Sequence, residues 1–315
     1  MGLKPWRHVR RTLPIVMLAL LAGTAAAQDI DCGSAPEVPW REVATGVWVW
    51  EGANDEPAPA NGGHVAPTSV LLDDDRALLI DPGPSVLHAQ RLVVSLRCRF
   101  GARVSDVINT HAHAENVLGN AAWADGMASG AVRVWATAGT RAGMQERCPA
   151  CLQSLTERVG TAAMAGTRIV VPQRTLAEGD TLVFGPHQLQ VMRVEQGHTD
   201  ADLVLWRADA GVLWAGGLVY DGRLPEFAQG TLEGWLGALQ RLATLSPRVV
   251  VGSRVGGPDM LAATQQYLTT LRTRVLAGMD AGRVAGEVGL VPMAEWSHWA
   301  GYARQEFNTQ RAWRE

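Results

Sequence analysis

Lysine is almost absent from this chain of 315 residues, because Lys4 is the only one and every other basic side chain apart from histidine is an arginine. The formal net charge is −3, so the chain lacks the cationic excess that nucleic-acid-binding domains carry. We therefore exclude nucleic acid as a partner and give the scarcity of lysine no functional weight. Long apolar runs are also missing after the first 27 residues, which excludes a later membrane span.

The first 27 residues have the layout of a secretory signal, with an apolar run over residues 13–21 and small residues up to Ala27. Four cations precede the run, namely Lys4, Arg7, Arg10 and Arg11. We predict cleavage after Ala27, which changes the net charge from −3 to −7, and a periplasmic protein without a stable membrane span. An uncleaved anchor is the alternative. Residues 28–315 are then one domain, long enough for a large core.

Cysteine is scarce, with four in the chain, and an even number in an exported protein favours disulfides. We expect structural bridging: Cys148 and Cys151 form one candidate pair, and Cys32 and Cys98 could form the other link, although the sequence does not fix the connectivity. The Cys148-Pro149-Ala150-Cys151 motif has two further interpretations, a redox pair and half of a metal site. The chain has no second Cys-x-x-Cys motif, which weakens the metal interpretation.

The chain has only eight histidines, so the close spacing of two of them and the motif around a third point to a shared site. His111 and His113 follow the apolar end of a predicted strand, Val107-Ile108, and precede apolar residues at helical spacing. In extended backbone, residues two apart point the same way, so these imidazoles can bind one metal ion. His198, in Gly197-His198-Thr199, supplies a third. Three imidazoles with one open position are the ligands of a zinc ion that activates water.

These motifs resemble the metallo-β-lactamase-fold superfamily, whose signature is His-x-His-x-Asp-His followed by a Gly-His-Thr-type ligand, a bridging Asp and a last His. His111, His113 and His198 match the three-histidine first site. The second site departs from the pattern at four places: Glu115 replaces the Asp, Asn116 replaces a His, Gly217 replaces the bridging Asp, and the turn over residues 250–258 has no His. The resemblance therefore implies one zinc ion and argues against a two-metal mechanism.

Glu115 is the candidate general base, and its alternative role is that of an acid favourably placed in the first turn of a helix. Asn116 is expected to cap that helix. Arg254 is predicted to pair with Glu115 in place of the missing cation, against the alternative of a solvated loop arginine. Two aspartates are expected around the ligands: Asp81 in the outer shell, and Asp202 either accepting an imidazole N–H or capping a turn. His88 is expected to be solvated on a helix.

Strands alternate with helices in both halves of the chain, which predicts an α/β fold. The resemblance implies a four-layer αβ/βα sandwich of the metallo-β-lactamase type, with two face-to-face sheets and the site at one edge. Predicted elements include strands over residues 47–50, 77–80, 203–206 and 212–214, and helices over 140–159, 232–245 and 259–279.

The segments Asp221–Pro225, Gly230–Trp235, Cys148–Thr167 and Asn308–Glu315 are similar to the exported zinc metallohydrolases called the quinoprotein relay system group. That resemblance implies an association with periplasmic alcohol oxidation by pyrroloquinoline-quinone dehydrogenases and cytochromes. Two functions follow. The first is a single-zinc hydrolase that acts on a small carbonyl or ester-type substrate. The second is a catalytically degenerate relative that acts as a periplasmic binding or accessory protein.

Overall fold

The structure is a computed structural model that describes residues 1–2, 31–33, 37–227, 229–284, 287 and 291–315. Residues Asp31–Glu315 belong to a single compact unit. The predicted signal segment lies outside the described residues apart from Met1 and Gly2, so its cleavage stays a prediction. Within the described ranges, every helix is too short or too polar to cross a lipid bilayer.

The first sheet has seven strands that lie side by side in chain order. They are β1 (Arg41–Ala44), β2 (Val47–Trp50), β3 (Thr68–Asp73), β4 (Arg76–Ile80), β5 (Arg103–Ile108), β6 (Arg133–Ala136) and β7 (Arg174–Thr175). The strands from β1 to β4 pair antiparallel, and those from β4 to β7 pair parallel. The parallel half requires crossover segments, which helices supply.

The second sheet has six strands in the order β13-β12-β11-β10-β9-β8. They are β8 (Thr181–Phe184), β9 (His187–Glu195), β10 (Ala201–Arg207), β11 (Val212–Trp214), β12 (Val249–Val251) and β13 (Val255–Gly256). Its pairs are antiparallel except for the parallel pair of β11 and β12.

Seven α-helices are present in the described part of the chain. They are α1 (Val86–Phe100), α2 (Ala114–Val117), α3 (Ala124–Ser129), α4 (Ala138–Val159), α5 (Leu232–Ala243), α6 (Asp259–Asp280) and α7 (Arg304–Trp313). Ser85, Thr137 and Thr231 cap α1, α4 and α5, because each side chain accepts a bond from a backbone N–H in the first turn.

The period-two alternation of side chains along the strands explains the four layers. On β10, Leu203 and Leu205 pack between the two sheets, whereas Val204 and Trp206 pack on the outer side with α5 and α6. On β4, Leu78 faces the inter-sheet core and Leu79 faces α1. Strands that are apolar on both faces must be covered on both faces. The predicted αβ/βα sandwich is confirmed.

The cysteines give one confirmed and one wrong prediction. Cys32 and Cys98 form a disulfide, with their Cα atoms 5.4 Å apart. Cys148 and Cys151 carry free thiols, contrary to the predicted structural bridge. Both lie inside α4, where residues three apart hold their Cβ atoms about 5–6 Å apart. A disulfide needs a Cβ separation of about 3.5–4.5 Å, so a regular helix keeps the two sulfurs from bonding.

The solvated position predicted for His88 is also wrong, because His88 is buried, with 7% of its surface exposed. Its ring stacks on Trp50 with centroids 4.6 Å apart, and the ring of His64 lies 4.4 Å away. The chain before β3 covers this face of α1. Both histidines therefore belong to the interior, where burial lowers the pKa of His88 well below its usual value and that of His64 to about 4.

Candidate metal centre

Two loops at one edge of the sandwich bring three histidines together. His111 and His113 lie on the turn that joins β5 to α2, and His198 lies on the turn that joins β9 to β10. The backbone N–H of Leu203, near the start of β10, donates to the carbonyl of Thr110 at 2.7 Å, which joins the strand after His198 to the turn that carries His111. One ring nitrogen from each histidine lies within 4.8 Å of the others, and His198 Nε2 is 3.1 Å from His113 Nδ1.

The spacing and burial of these rings fit a metal ion. Two nitrogens that bind one zinc ion tetrahedrally at about 2.05 Å lie about 3.4 Å apart, close to the observed pair. The three residues are buried, with 3%, 8% and 0% of their surfaces exposed for His111, His113 and His198. Burial lowers the pKa of His111 and His198 well below the usual value, which keeps their imidazoles neutral. Neutral imidazole is the form that binds a metal.

In His111 and His113, a hydrogen bond to one ring nitrogen leaves the other nitrogen free to bind a metal. His111 Nδ1 lies 2.8 Å from Thr110 Oγ1, which leaves its Nε2. His113 Nε2 lies 3.1 Å from Gln229 Oε1, which leaves its Nδ1. His198 is held by ring contacts with Tyr220 and Trp235, whose ring centroids lie 5.8 and 5.3 Å from its own.

Asp81 organises the turn under His111. Its carboxylate accepts bonds from the backbone N–H of Thr110 at 2.8 Å, from Thr110 Oγ1 at 2.6 Å and from Asn116 Nδ2 at 3.0 Å. The Thr110 hydroxyl thus connects Asp81 to His111, as the outer-shell prediction for Asp81 requires. Burial raises the pKa of Asp81 to about 6, against the lowering effect of these hydrogen bonds. Asn116 holds Asp81 and makes no cap to α2, so the capping prediction is wrong.

Asp202 closes the turn that presents His198. Its carboxylate accepts bonds from the backbone N–H of Thr199 at 2.9 Å and from Thr199 Oγ1 at 2.8 Å. These bonds correspond to the turn-capping alternative. Burial raises the pKa of Asp202 to about 6.

The positions of the family's second metal site are engaged in other contacts. A Cβ atom on Gly217 would lie 2.1 Å from His198 Cδ2, so the His198 ring fills the space of a side chain at that position. Arg254 pairs with Asp221, with Nη1 and Oδ2 3.4 Å apart. The predicted pairing of Arg254 with Glu115 is therefore wrong, because the carboxylate beside the turn takes the guanidinium.

A cavity of about 300 Å³ opens beside His113. Besides His113, its polar lining consists of Glu115, Cys151, Ser154, Arg158, Glu226, Gln229 and Arg304. Arg304 binds two acids, Glu226 at 2.8 Å and Glu56 at 2.6 Å. Burial opposes the ionised form of Glu226, but the positive charges of His113 and three arginines outweigh it and lower its pKa. Burial likewise lowers the pKa of His113, but Glu115 and Glu226 outweigh that effect and raise it.

Three residues of this centre escaped the sequence-based predictions, namely Thr110, Glu226 and Gln229. Thr110 directly precedes the His-x-His motif, and that position was a usable signal for an outer-shell role. Glu226 and Gln229 lie in an aperiodic loop more than a hundred residues after the motif, and no pattern in the sequence connects them with it.

The metallo-beta-lactamase superfamily sequence model matches residues 62–254. This match covers more than half of the chain and includes all three histidines. The chain belongs to the metallo-beta-lactamase superfamily. No protein with a curated functional description matches it significantly.

Solved structures with the same fold include a metallo-beta-lactamase from Pontibacter korlensis, with a TM-score of 0.58 and 23% identity over 74% of this chain and 99% of that one. A metallo-beta-lactamase from Hirschia baltica has a TM-score of 0.56 and 18% identity over 74% of this chain and 98% of its own. The metallo-beta-lactamase FIM-1 from Pseudomonas aeruginosa, solved in its mono-zinc form, has a TM-score of 0.57 and 17% identity, with coverage of 76% and 98%.

Proposed function

We propose that this protein is an exported zinc hydrolase with one zinc ion, acting on a small carbonyl or ester-type substrate. The convergence of three buried imidazoles, whose ligand nitrogens lie within 4.8 Å of one another beside a cavity, carries the proposal. A second observation supports a single ion: the positions of a second site are occupied by Gly217 packed against His198 and by Asn116 bonded to Asp81. FIM-1, a relative in fold, has been solved in a mono-zinc form.

His111, His113 and His198 would hold the ion. Zinc in such a site supplies Lewis acidity and generates a nucleophile from water at neutral pH. Thr110 and Gln229 keep the ligand nitrogens of two rings pointed at the same place, which reduces the reorganisation that binding needs. The cavity beside His113 has the volume for a small molecule.

Glu115 is the carboxylate that we assign as general base. It lines the cavity next to His113, where it can take a proton from the attacking water. Glu226 lines the same cavity, but Arg304 holds its Oε2 at 2.8 Å and competes for the lone pairs that a base must offer. We assign the Glu226–Arg304 pair to orienting the polar part of the substrate.

Zinc content tests the metal part of the proposal. We expect about one zinc ion per chain in the purified wild-type protein by elemental analysis, and loss of that zinc in His198→Ala. His187→Ala is a matched control, because His187 is a buried histidine of the same sheet that bonds to the carbonyl of Leu72 instead. Absence of stoichiometric zinc from the wild type would refute the centre.

Turnover of a panel of lactones, thioesters, lactams and activated esters tests the hydrolase part. We expect Glu115→Gln to retain zinc and lose about 100-fold or more in kcat, the usual effect of removing a general base. Glu226→Gln, the matched change across the cavity, should raise KM and affect kcat less. Equal losses of kcat in both variants would remove the distinction between base and orienting residue.

The alternative function is that of a catalytically degenerate relative that acts as a periplasmic binding or accessory protein. The closed second site favours it, because the His198 ring occupies the space that a carboxylate side chain at position 217 would need. Zinc retention with no turnover of any substrate class would support this alternative.

The sequence similarity to the quinoprotein relay group adds a proposed setting, alcohol oxidation by a periplasmic quinoprotein dehydrogenase or cytochrome. Copurification of such a protein with the tagged chain from its native host tests this association. A preparation that retains none of them after crosslinking would count against it.

A further inference from the structure

The Cys148-Pro149-Ala150-Cys151 motif lies in the wall of the metal centre. Cys151 lines the cavity together with His113 and Glu115. Cys148 is fully buried one helical turn earlier, in a cluster with Ala112, Val117 and Met144. Ala112 is the residue between the first two metal ligands. One thiol therefore faces the cavity, and the other packs directly beneath the turn that carries His111 and His113.

The two thiols lie one helical turn apart in α4, and Cys151 shares the cavity wall with His113 and Glu115. The neighbouring thiol of Cys148 lowers the pKa of Cys151 to about 7, although burial opposes this effect. Among the described residues, the group that can hold a metal consists of the three histidines and excludes both cysteines. A dithiol without a metal and with one sulfur accessible from a cavity has the arrangement needed for thiol–disulfide exchange.

The α4 helix is locally prepared for a change of shape at this motif. Pro149 lies inside α4 and has no N–H to donate to the carbonyl of Gln145, so the helical turn that includes Cys148 lacks one hydrogen bond. Closing a disulfide must shorten the Cβ separation by about 1–2 Å relative to a regular helix. A turn that already lacks a hydrogen bond resists that distortion less than an intact one.

We propose that Cys148 and Cys151 are a reversible redox couple that exchanges with an external disulfide and, on oxidation, reshapes the wall of the metal centre. The disulfide between Cys32 and Cys98 indicates that the chain matures where external disulfides form. Only the effect of oxidation on zinc binding rests on the proposed metal centre, because the thiol–disulfide exchange itself requires neither zinc nor turnover.

The exchange balances in two steps. The Cys151 thiolate attacks one sulfur of the external disulfide, forms a mixed disulfide and releases one thiolate, which takes up a proton. Cys148 then loses its proton, and its sulfur attacks Cys151 Sγ, which displaces the second external thiolate. Two electrons pass from the dithiol to the external disulfide, which becomes two thiols. Cys151 acts first because it faces the cavity, and Cys148 resolves the intermediate.

Oxidation should change the metal centre through packing. Ala114 and Leu118, at and after the start of α2, pack with Leu155 of α4 and with Cys151 itself. Tightening the Cys148–Cys151 turn therefore pulls on the helix that follows His113 and carries Glu115. Loss of an outer-shell support typically weakens metal binding by about 10–100-fold. We expect a change near the lower end of that range.

Equilibration of the full-length wild-type protein in buffers of reduced and oxidised glutathione, followed by alkylation and peptide mass spectrometry, tests the couple. We expect the Cys148–Cys151 peptide to lose two hydrogens in oxidising buffers and regain them in reducing buffers, while the Cys32–Cys98 disulfide stays intact. Zinc affinity of the two forms is then measured by chelator competition. The oxidised form should bind zinc about tenfold more weakly.

Two matched variants identify the order of attack. Cys148→Ser should accumulate a glutathione mixed disulfide on Cys151, because the resolving thiol is gone. Cys151→Ser should leave Cys148 unmodified, because that sulfur is buried. Circular dichroism checks that both variants fold, and Ser154→Ala in the same helix controls for changes in the cavity wall. A pair that stays reduced at every glutathione ratio, or equal modification of the two variants, would overturn the couple. Unchanged zinc affinity after oxidation would overturn its control of the centre.

Discussion

Replacing Thr110 by valine is the sharpest test of how this chain prepares its metal ligands. The Thr110 hydroxyl lies 2.6 Å from Asp81 Oδ2 and 2.8 Å from His111 Nδ1, so one oxygen connects a buried carboxylate with a ligand ring. Its hydrogen goes to the carboxylate, and it accepts the N–H of the imidazole. This arrangement selects the tautomer of His111 whose Nε2 lone pair is free.

The expected loss follows from two buried hydrogen bonds. Valine has nearly the volume of threonine, so no cavity forms, but His111 Nδ1 and one oxygen of Asp81 lose a partner. Asp81 Oδ2 keeps its bond from Asn116, so only His111 Nδ1 is left unpaired. One buried polar group without a partner costs about 1–3 kcal/mol, which is the expected decrease in the free energy of unfolding of the metal-free protein. Because the ring is then free to rotate or change tautomer, zinc affinity should fall about 10–100-fold.

Urea unfolding of the metal-free protein and chelator competition for zinc measure the two effects. Thr110→Ser is the matched control, since it keeps the hydroxyl and removes only a methyl group, and it should retain most of the zinc affinity. If Thr110→Val binds zinc as tightly as the wild type, the hydroxyl does not orient His111 and our account of the outer shell is wrong.

Three further predictions concern other parts of the molecule. Burial, helped by the charge of Arg91, lowers the pKa of His64 to about 4. The contribution of neutral His64 to the free energy of unfolding is therefore full above pH 6.5 and should decline as the pH falls toward 4, by about 2 kcal/mol at pH 5. Unfolding measured over this pH range should show a smaller decline in His64→Gln. Gly217→Ala should abolish zinc binding, because the new Cβ would lie 2.1 Å from the His198 ring, whereas Gly237→Ala, with nothing within 4 Å, should not. Cys32→Ser should lower stability by about 4 kcal/mol in urea unfolding, since the disulfide closes a separation of 66 residues; stability equal to that of the wild type would contradict this.

The layered architecture was predictable because each buried strand is marked by an apolar run within its own few residues. The apolar runs of β4, β10 and β11 are those of strands buried on both faces, and the structure places each within about two residues of the predicted bounds. The three histidines were predictable for a related reason. Two of them share a face of extended backbone, and the third follows a strand in a glycine-bounded turn.

The wrong predictions share a different cause: they depend on the folded surroundings of a residue, which the local sequence pattern does not show. His88 was assigned to solvent because the periodicity of α1 cannot show that residues near His64 cover that face. Arg254 was assigned to Glu115 because the sequence does not reveal Asp221 as a nearer carboxylate. Cys148 and Cys151 were paired by compartment and number, whereas the helix that contains them sets their spacing.

The origin of the three ligands has a consequence for the lifetime of the protein. His111 and His113 extend from the first sheet and His198 from the second, and His113 and His198 are 85 positions apart in the chain. A bound ion would therefore act as a cross-link between the two halves, present only in the folded chain. At free zinc one hundred times its dissociation constant, such binding adds about 2.7 kcal/mol to stability. The abundance of the protein in the cell would then follow the supply of zinc, since chains that mature without metal unfold and are degraded more often.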